Sequence, residues 1–235
     1  MKNKTIHFKS GPKLLELFAG SRSVGKEAEK QGFEVFSVDW TSYNKIDLII
    51  DIGELKKEDV PFVPDVVWAS PDCTTYSIAA CSTHRTKTKD PKSEYAIKCD
   101  TVNKHWISLI KEWLLINPDL IFFIENPRGM MRHMDWMQEF KRYTVWYCKY
   151  GDDRAKPTDI WTNSKTWTPR PQCRNYKYGK DGNIIERHCH HESARRGAKT
   201  GTQGKTGSYN RSKIPNQLCE EIIKSTKVSL VDNPH

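Results

Sequence analysis

An α/β domain on a mostly parallel sheet is the fold class this sequence predicts, and three observations carry it. Short continuous apolar runs, DVVWAS and DLIFFI, end abruptly in polar or reactive residues, as central parallel strands buried on both faces do. In KLLELFAGSRSVGKEAEKQGFEVFSVDW a glycine turn separates one apolar run from an amphipathic stretch and then a second apolar run. The chain has 235 residues, enough for one full core with a small appendage but not for two independent domains.

After a polar leader, Leu14, Leu15 and Leu17 build the first strand, Gly20 permits a sharp turn and Gly25 sits just inside the first helix. Val35, Phe36 and Val38 make the second strand, which ends at Asp39. This is a βαβ unit of the nucleotide-binding kind: the turn and helix start meet the ligand, and the acid binds ribose hydroxyls. IDLIIDI then carries Asp51, and PDVVWAS leads into WASPDCTTYS, where a strand delivers Cys73 to a sheet edge. The segment Ile78 to Glu94 is polar, basic and aperiodic, which predicts a mobile loop beside that strand. From Ala96 to Ile116, Ile97, Val102, Trp106, Leu109, Ile110, Trp113 and Leu114 recur at helical spacing, so a core-facing helix is expected. DLIFFIENPRG is the next buried strand, and its tail Glu125-Asn126-Pro127 emerges at the carboxyl edge, where open α/β sheets bind ligands. A helix and a strand are expected through Met131 to Tyr147, and another strand over Ile160 to Thr162. RSKIPNQLCEEIIKS reads as a capped amphipathic helix with Ile214, Leu218, Ile222 and Ile223 on its apolar face, packing back on the first domain.

The net charge of +9 resides in one stretch: Ser164 to Lys213 holds twelve Lys/Arg against three Asp/Glu, and the remainder balances at 26 each. A concentrated positive surface favours polyanions, nucleic acid first. No apolar run reaches the roughly 18 residues of a membrane span, and the N-terminus lacks a signal-peptide core, so a soluble, cytoplasmic protein is expected. Seven irregularly spaced cysteines do not read as a disulfide framework. Cys173, Cys189 and His190, within a run His188-Cys189-His190-His191, are candidate ligands of a structural zinc; solvated histidines facing phosphate are the alternative. Cys81, Cys99, Cys148 and Cys219 are read as packing residues.

Cys73, Glu125 and Lys156 end elements that converge on the edge holding the glycine turn. A thiolate, a carboxylic acid and a cation suit nucleophilic addition to a pyrimidine ring. Carbon 5 of cytosine becomes reactive only after something adds at carbon 6, and a thiolate is the side chain for that. The acid would bond ring nitrogen 3 and the exocyclic amine, and the cation the carbonyl at position 2.

In motif order these residues resemble the DNA cytosine-5 methyltransferases, particularly short phage and prophage members. The resemblance implies a Rossmann-like fold dependent on S-adenosylmethionine. ELFAGSRSVG looks like the first cofactor motif, with Phe18 against adenine and Ala19, Gly20 and Ser21 in the turn. Asp39 and Trp40 match the ribose and adenine contacts, Asp51 and Ile52 the later adenine contact, and Ser70 and Pro71 border the nucleophile motif SPDCTTYS. IENP, RAKPTDIWTN and SKIPNQLCEEI are similar to the Glu-Asn, basic and final motifs. The implied organisation is a catalytic domain over 1–163, a basic target-recognition region over 164–210 and a returning helix over 211–235. The implied partner is double-stranded DNA with its target base flipped, bound by a monomer away from any membrane, with short or relaxed sequence specificity. RNA as the polymer, or a catalytically inactive nucleic-acid-binding homologue, are the competing readings.

Three positions depart from the family pattern. Asp72 stands where proline usually precedes the nucleophile, and a carboxylate there raises a thiol pKa unless it is paired or turned away. Arg22 and Ser23 replace glycines, which places Arg22 toward the sulfonium end of the cofactor, toward solvent or toward phosphate. In the basic motif either Arg154 or Lys156 supplies the cation, and Lys156 is favoured because it sits at the strand entry.

Overall fold

The computed structural model describes residues 11–174, 176–191, 205 and 207–232. The polar leader up to residue 10 and residues 192–204 of the basic region lie outside the described residues. Among the described residues, seven strands form one sheet: β1 (Lys13–Leu17), β2 (Glu34–Asp39), β3 (Leu48–Ile49), β4 (Val66–Ala69), β5 (Ile121–Pro127), β6 (Arg142–Trp146) and β7 (Pro157–Thr162). Their spatial order is β3-β2-β1-β4-β5-β7-β6. The first five strands run parallel, and β7 is inserted antiparallel between β5 and β6. This is the predicted Rossmann-like, mostly parallel α/β fold.

Helices α1 (Ser23–Lys30), α2 (Cys81–His84), α3 (Glu94–Ile116), α4 (Ser208–Ser212) and α5 (Asn216–Asp232) accompany the sheet. The α3 side chains Trp106, Ile110 and Trp113 join Leu15, Val67, Phe122 and Ile124 in one core layer. On the opposite face Val24 and Ala28 of α1 meet Leu218, Cys219, Ile222 and Ile223 of α5 over Leu14, Val66, Trp68 and Phe123. Alternate side chains of each parallel strand feed these two layers, which is why the strands read as unbroken apolar runs.

Two segments differ from the expectation. Between β5 and β6 no full helix forms: 3₁₀ turns occupy Met130–His133 and Asp135–Met137, so Met131, Met134 and Met137 fill the core from single turns. The stretch Ile78 to Glu94 is anchored. Arg85, 2% exposed, donates to both Asp100 carboxylate oxygens at 2.8 and 3.1 Å and to the Thr75 carbonyl at 3.0 Å. A guanidinium buried in two-point contact with a carboxylate fixes the loop through charge-assisted bonds.

The basic region is also not all loop. Strands β8 (Tyr176–Tyr178) and β9 (Ile184–Arg187) form an antiparallel ribbon. Its turn has Gly182 at φ 77° and an Asp181 carboxylate accepting the Asn183 N–H at 3.1 Å. Asp-Gly between two short runs is a hairpin signal legible in the sequence.

Candidate active site

Strand polarity assembles the site. Ala69 of β4 pairs with Leu17 of β1 and Ile124 of β5, so the residues following these strands emerge at one edge: Phe18, Cys73 and Glu125. Because β7 is antiparallel and Pro127 pairs with Thr158, its entry residue Lys156 arrives there as well. Trp146 pairs with Pro157, which brings Tyr147 to the same edge.

Cys73 precedes a 3₁₀ turn, Thr74–Tyr76, and is partly buried. Asp72 holds that turn: one carboxylate oxygen accepts the Thr74 N–H at 2.6 Å and the other accepts the Tyr95 hydroxyl. An aspartate at this position therefore closes the turn by side-chain capping, a service proline cannot perform. Its charge still acts on the thiol. Burial, then Asp72, then Glu125 push the Cys73 thiol up to about 11, while Lys156 opposes them.

A buried network locks the turn onto α3. The Tyr76 hydroxyl donates to Asp100 at 2.6 Å and accepts from Asn103 Nδ2 at 2.8 Å, and Trp106 Nε1 donates to Asn103 Oδ1 at 2.9 Å. Asp100 and Asn103 were the legible signal, polar residues inside an apolar helical stripe, but the sequence reading assigned them no task. From β5, Asn126 Nδ2 donates to the Pro71 carbonyl at 3.0 Å, tying the acid-bearing strand to the nucleophile loop.

Glu125 is 4% exposed, and its Oε1 accepts the Tyr147 hydroxyl at 2.9 Å. Lys156 lines the same cleft. Its Nζ stands 4.7 Å from the Tyr147 ring centroid and donates to the Arg211 carbonyl at 3.0 Å. Burial pulls its ammonium pKa down, and Glu125 counters. Arg154 turns elsewhere: Nε and Nη2 grip the Asp152 carboxylate at 2.8 and 2.6 Å, and Nη1 donates to the Arg211 carbonyl at 3.1 Å. Of the two candidate cations, only Lys156 faces the cleft.

Two adjoining cavities lie at this edge. The larger is a half-open cleft of about 530 Å³ lined by Phe18, Ala19, Gly20, Ser21, Asp39, Trp40, Ser70, Pro71, Cys73, Glu125 and Lys156. The smaller, a slot of about 50 Å³, is lined by Phe18, Trp40, Asp51, Ile52, Tyr95 and Lys98. All ten residues expected at the cofactor face one or both of them. Gly20 has φ 48°, and its N–H donates to Asp39 Oδ2 at 2.9 Å, fixing the turn to the acid. Asp51 is held by Lys98 at 2.7 Å, which keeps its carboxyl below the usual range. An aromatic slot with a carboxylate beside it suits an adenosine, and the acids Glu16, Asp39, Asp72 and Glu125 around the cleft suit a sulfonium cation. The residues present therefore fit S-adenosylmethionine.

Glu16 was missed by the sequence reading. It is 2% exposed, and its Oε1 accepts the Gly25 N–H at 3.0 Å at the start of α1. A Cβ at Gly25 would lie 2.3 Å from the other oxygen, so any larger residue there would displace the Glu16 carboxylate. Burial pushes the Glu16 carboxyl up to about 7, against the Gly25 N–H and the Arg22 charge. Arg22 itself reaches neither cofactor, solvent nor phosphate. A left-handed backbone, φ 53°, turns it beneath α1, where Nε donates to Ser37 Oγ at 2.8 Å and Nη2 to Glu29 at 2.5 Å.

The zinc expectation is corrected in its ligands. His190 Nε2 contacts the Asp152 carbonyl at 3.0 Å, away from the thiols. The side chains that converge are Cys148, Cys173, Cys189 and His191, with ligand atoms all within 4.8 Å of one another. Cys148, read as a packing residue, is buried and stands beside the other three ligand atoms. Among the described residues, no helix is long and apolar enough to cross a membrane.

With the geometry in place, the chain can be set beside known proteins. No protein-family profile matches it. It is 32% identical over 168 residues to a protein of Frog virus 3 (isolate Goorha) described as a probable DNA (cytosine-5)-methyltransferase, covering 67% of this chain and 73% of that protein. The chain belongs to the cytosine-5 methyltransferase family. Among solved structures it is similar to a Spodoptera frugiperda DNMT2 variant, with 15% identity, TM-score 0.46 and coverage of 74% of this chain and 57% of that one. It is also similar to the Entamoeba histolytica methyltransferase EhMeth, with 14% identity, TM-score 0.48 and coverage of 65% and 52%. The chain thus spans little more than half the length of these two solved structures.

Proposed function

We propose that this protein methylates carbon 5 of cytosine in double-stranded DNA through a covalent adduct at Cys73. The observation that carries the reading is the convergence of Cys73, Glu125 and Lys156 on one cleft that adjoins an aromatic slot bordered by Phe18, Trp40 and Asp51. Phe18, Trp40, Asp39, Asp51 and Ile52 would hold the adenosine of S-adenosylmethionine, and the Gly20 turn its methionine part. When bound, this cofactor supplies an electrophilic methyl group.

The chain's own residues do the rest. Cys73 gives its proton to water, its thiolate forms a bond to carbon 6 of a flipped cytosine, and the electron pair of the 5,6 double bond moves to carbon 5 and, by conjugation, toward ring nitrogen 3. Glu125 bonds the ring nitrogen 3 edge and stabilises the charge that develops there, while Lys156 holds the carbonyl oxygen at position 2. Once carbon 5 carries the methyl group, its hydrogen leaves as a proton to water. The 5,6 double bond re-forms, the S–C6 bond breaks and the thiolate is regenerated.

Residues 164–210 act as the target-recognition region. Their positive charge supplies phosphate contacts, and so short a segment supplies few base-edge contacts, so the specificity is short or relaxed. Labelled S-adenosylmethionine offered with duplex DNA, single-stranded DNA or tRNA tests the reading: label should enter duplex DNA as 5-methylcytosine. Transfer to tRNA alone would move the substrate to RNA. Turnover retained in Cys73→Ala would exclude the adduct.

A further inference from the structure

We infer that Cys148, Cys173, Cys189 and His191 form a closed structural zinc site that fastens the basic ribbon to the catalytic sheet beside the target-base side of the cleft. Four ligand atoms within 4.8 Å of one another, three thiols and an imidazole, are the donor set of a Cys₃His zinc centre. A tetrahedral ion at about 2.3 Å from sulfur and about 2.0 Å from nitrogen holds its ligand atoms roughly 3.5–3.8 Å apart. Cys173 Sγ and His191 Nδ1 stand 3.7 Å apart. That separation matches two ligands of one tetrahedral ion.

The surroundings are those of a metal site. Cys148 and His191 are 4% and 5% exposed. The His191 backbone N–H donates to Cys189 Sγ, a bond of the kind that orients and tempers a ligating thiolate. Three thiols cannot all pair as disulfides, and a fourth donor aimed at them is what a tetrahedral ion uses. With all four positions filled by protein, none is open for water or substrate, which makes the site structural rather than catalytic.

The chain positions of the ligands state what the ion would hold together. Cys148 lies in the 3₁₀ turn Tyr147–Tyr150, directly after β6. Cys173 follows β7, and Cys189 and His191 follow β9. The ion therefore joins the base of the ribbon to the sheet edge one residue from Tyr147, the hydrogen-bond donor to Glu125. The next segment is fastened too, since His190 Nε2 meets the carbonyl of Asp152, whose carboxylate holds Arg154. A small, polar, basic ribbon has little apolar surface of its own to bury, and metal ligation supplies the folding free energy that a core would.

The test uses the untagged full-length chain purified under reducing conditions from zinc-supplemented medium. Elemental analysis is expected to find one zinc per chain, and replacement by cobalt(II) to give the visible bands and thiolate charge-transfer absorption of a tetrahedral sulfur-rich site. His191→Ala, Cys148→Ser and Cys173→Ser should each lose the metal, whereas His190→Ala and Cys219→Ser should keep it. A protein that carries no zinc, and takes up neither zinc nor cobalt(II), overturns the proposal. So does a native disulfide among the three thiols, or loss of metal from His190→Ala but not from His191→Ala. If the ligand variants fail to fold, the cobalt(II) spectrum of the wild-type protein decides alone. These readouts do not involve methyl transfer, so the site stands or falls separately from the proposed reaction.

Discussion

The Tyr147 hydroxyl donates a 2.9 Å hydrogen bond to Oε1 of Glu125, and both side chains are buried. Burial and the Glu125 charge push the phenol well above its ordinary range, so it stays protonated and remains a donor. The acid is thereby held in one orientation, with Oε2 left for the base. A hydrogen bond to a charged partner contributes about 1.5–3 kcal/mol.

Tyr147→Phe should therefore reduce methyl transfer by roughly 10–100-fold, following that energy through the rate law. Its melting temperature should also fall by several degrees, because Oε1 of the buried Glu125 loses its donor. Single-turnover transfer from labelled S-adenosylmethionine measures the first and calorimetry the second. An unchanged rate in a folded Tyr147→Phe protein would remove Tyr147 from the positioning of Glu125.

Cys73 reactivity should climb with pH. With the thiol at about 11 in the free protein, the thiolate fraction rises roughly tenfold per pH unit from pH 7 to 10, and so should the rate of iodoacetamide alkylation at Cys73. Asp72→Asn removes a charge that raises this pKa while keeping an oxygen for the Thr74 N–H, and the profile should move to lower pH. Peptide mass spectrometry of the alkylated protein reads both. A profile unmoved by Asp72→Asn would show that the Asp72 charge does not act on the thiol.

Lys156 and Arg154 should separate cleanly. Lys156→Met is expected to cost activity with little loss of stability, since its Nζ donates only to a carbonyl and faces the cleft. Arg154→Met takes the two-point guanidinium partner from the buried Asp152 carboxylate and leaves it Lys205 at 3.7 Å and the residue 154 N–H, a loss of up to about 3 kcal/mol. Urea unfolding and methyl transfer measured on both variants check the pattern, and the reverse pattern would make Arg154 the cation on the base.

Glu16 gives the fold a pH dependence with a definite sign. Its carboxyl lies at about 7 folded against 4.5 unfolded, so the folded state holds the proton more tightly. Its contribution is complete below about pH 4.5 and is lost as pH rises toward and past 7, a change of about 3 kcal/mol. Glu16→Gln keeps an acceptor for the Gly25 N–H and abolishes this loss. Urea midpoints at pH 5 and pH 8 should fall further for wild type than for Glu16→Gln, and parallel changes would refute the assignment.

The succession of strands along the chain, the glycine turn, Cys73 at a strand end and Glu125 on a buried strand were all legible in the sequence. Each rests on local regularities: apolar runs, period, and turn residues. So was the family resemblance, because its motifs are short and contiguous. The ribbon β8–β9 could also have been read from Asp181-Gly182, had the hairpin signal been weighed against the polar composition around it.

What only the tertiary structure decided concerns side chains whose partners are far away in the chain. Arg22 was free to face the cofactor in one dimension, and a left-handed φ with a pocket made by Ser37 and Glu29 sent it under α1. Asp72 looked like a misplaced charge until Tyr95 of α3 and the Thr74 N–H were found holding it. Cys148, Cys173, Cys189 and His191 have no recognisable spacing, and only the folding of β6, β7 and β9 onto one edge brings them within 4.8 Å. Backbone pattern is a property of neighbouring residues and can be read along the chain. The partner of a charge or a ligand is set by which strand ends meet, and that information exists only once the sheet has closed its order.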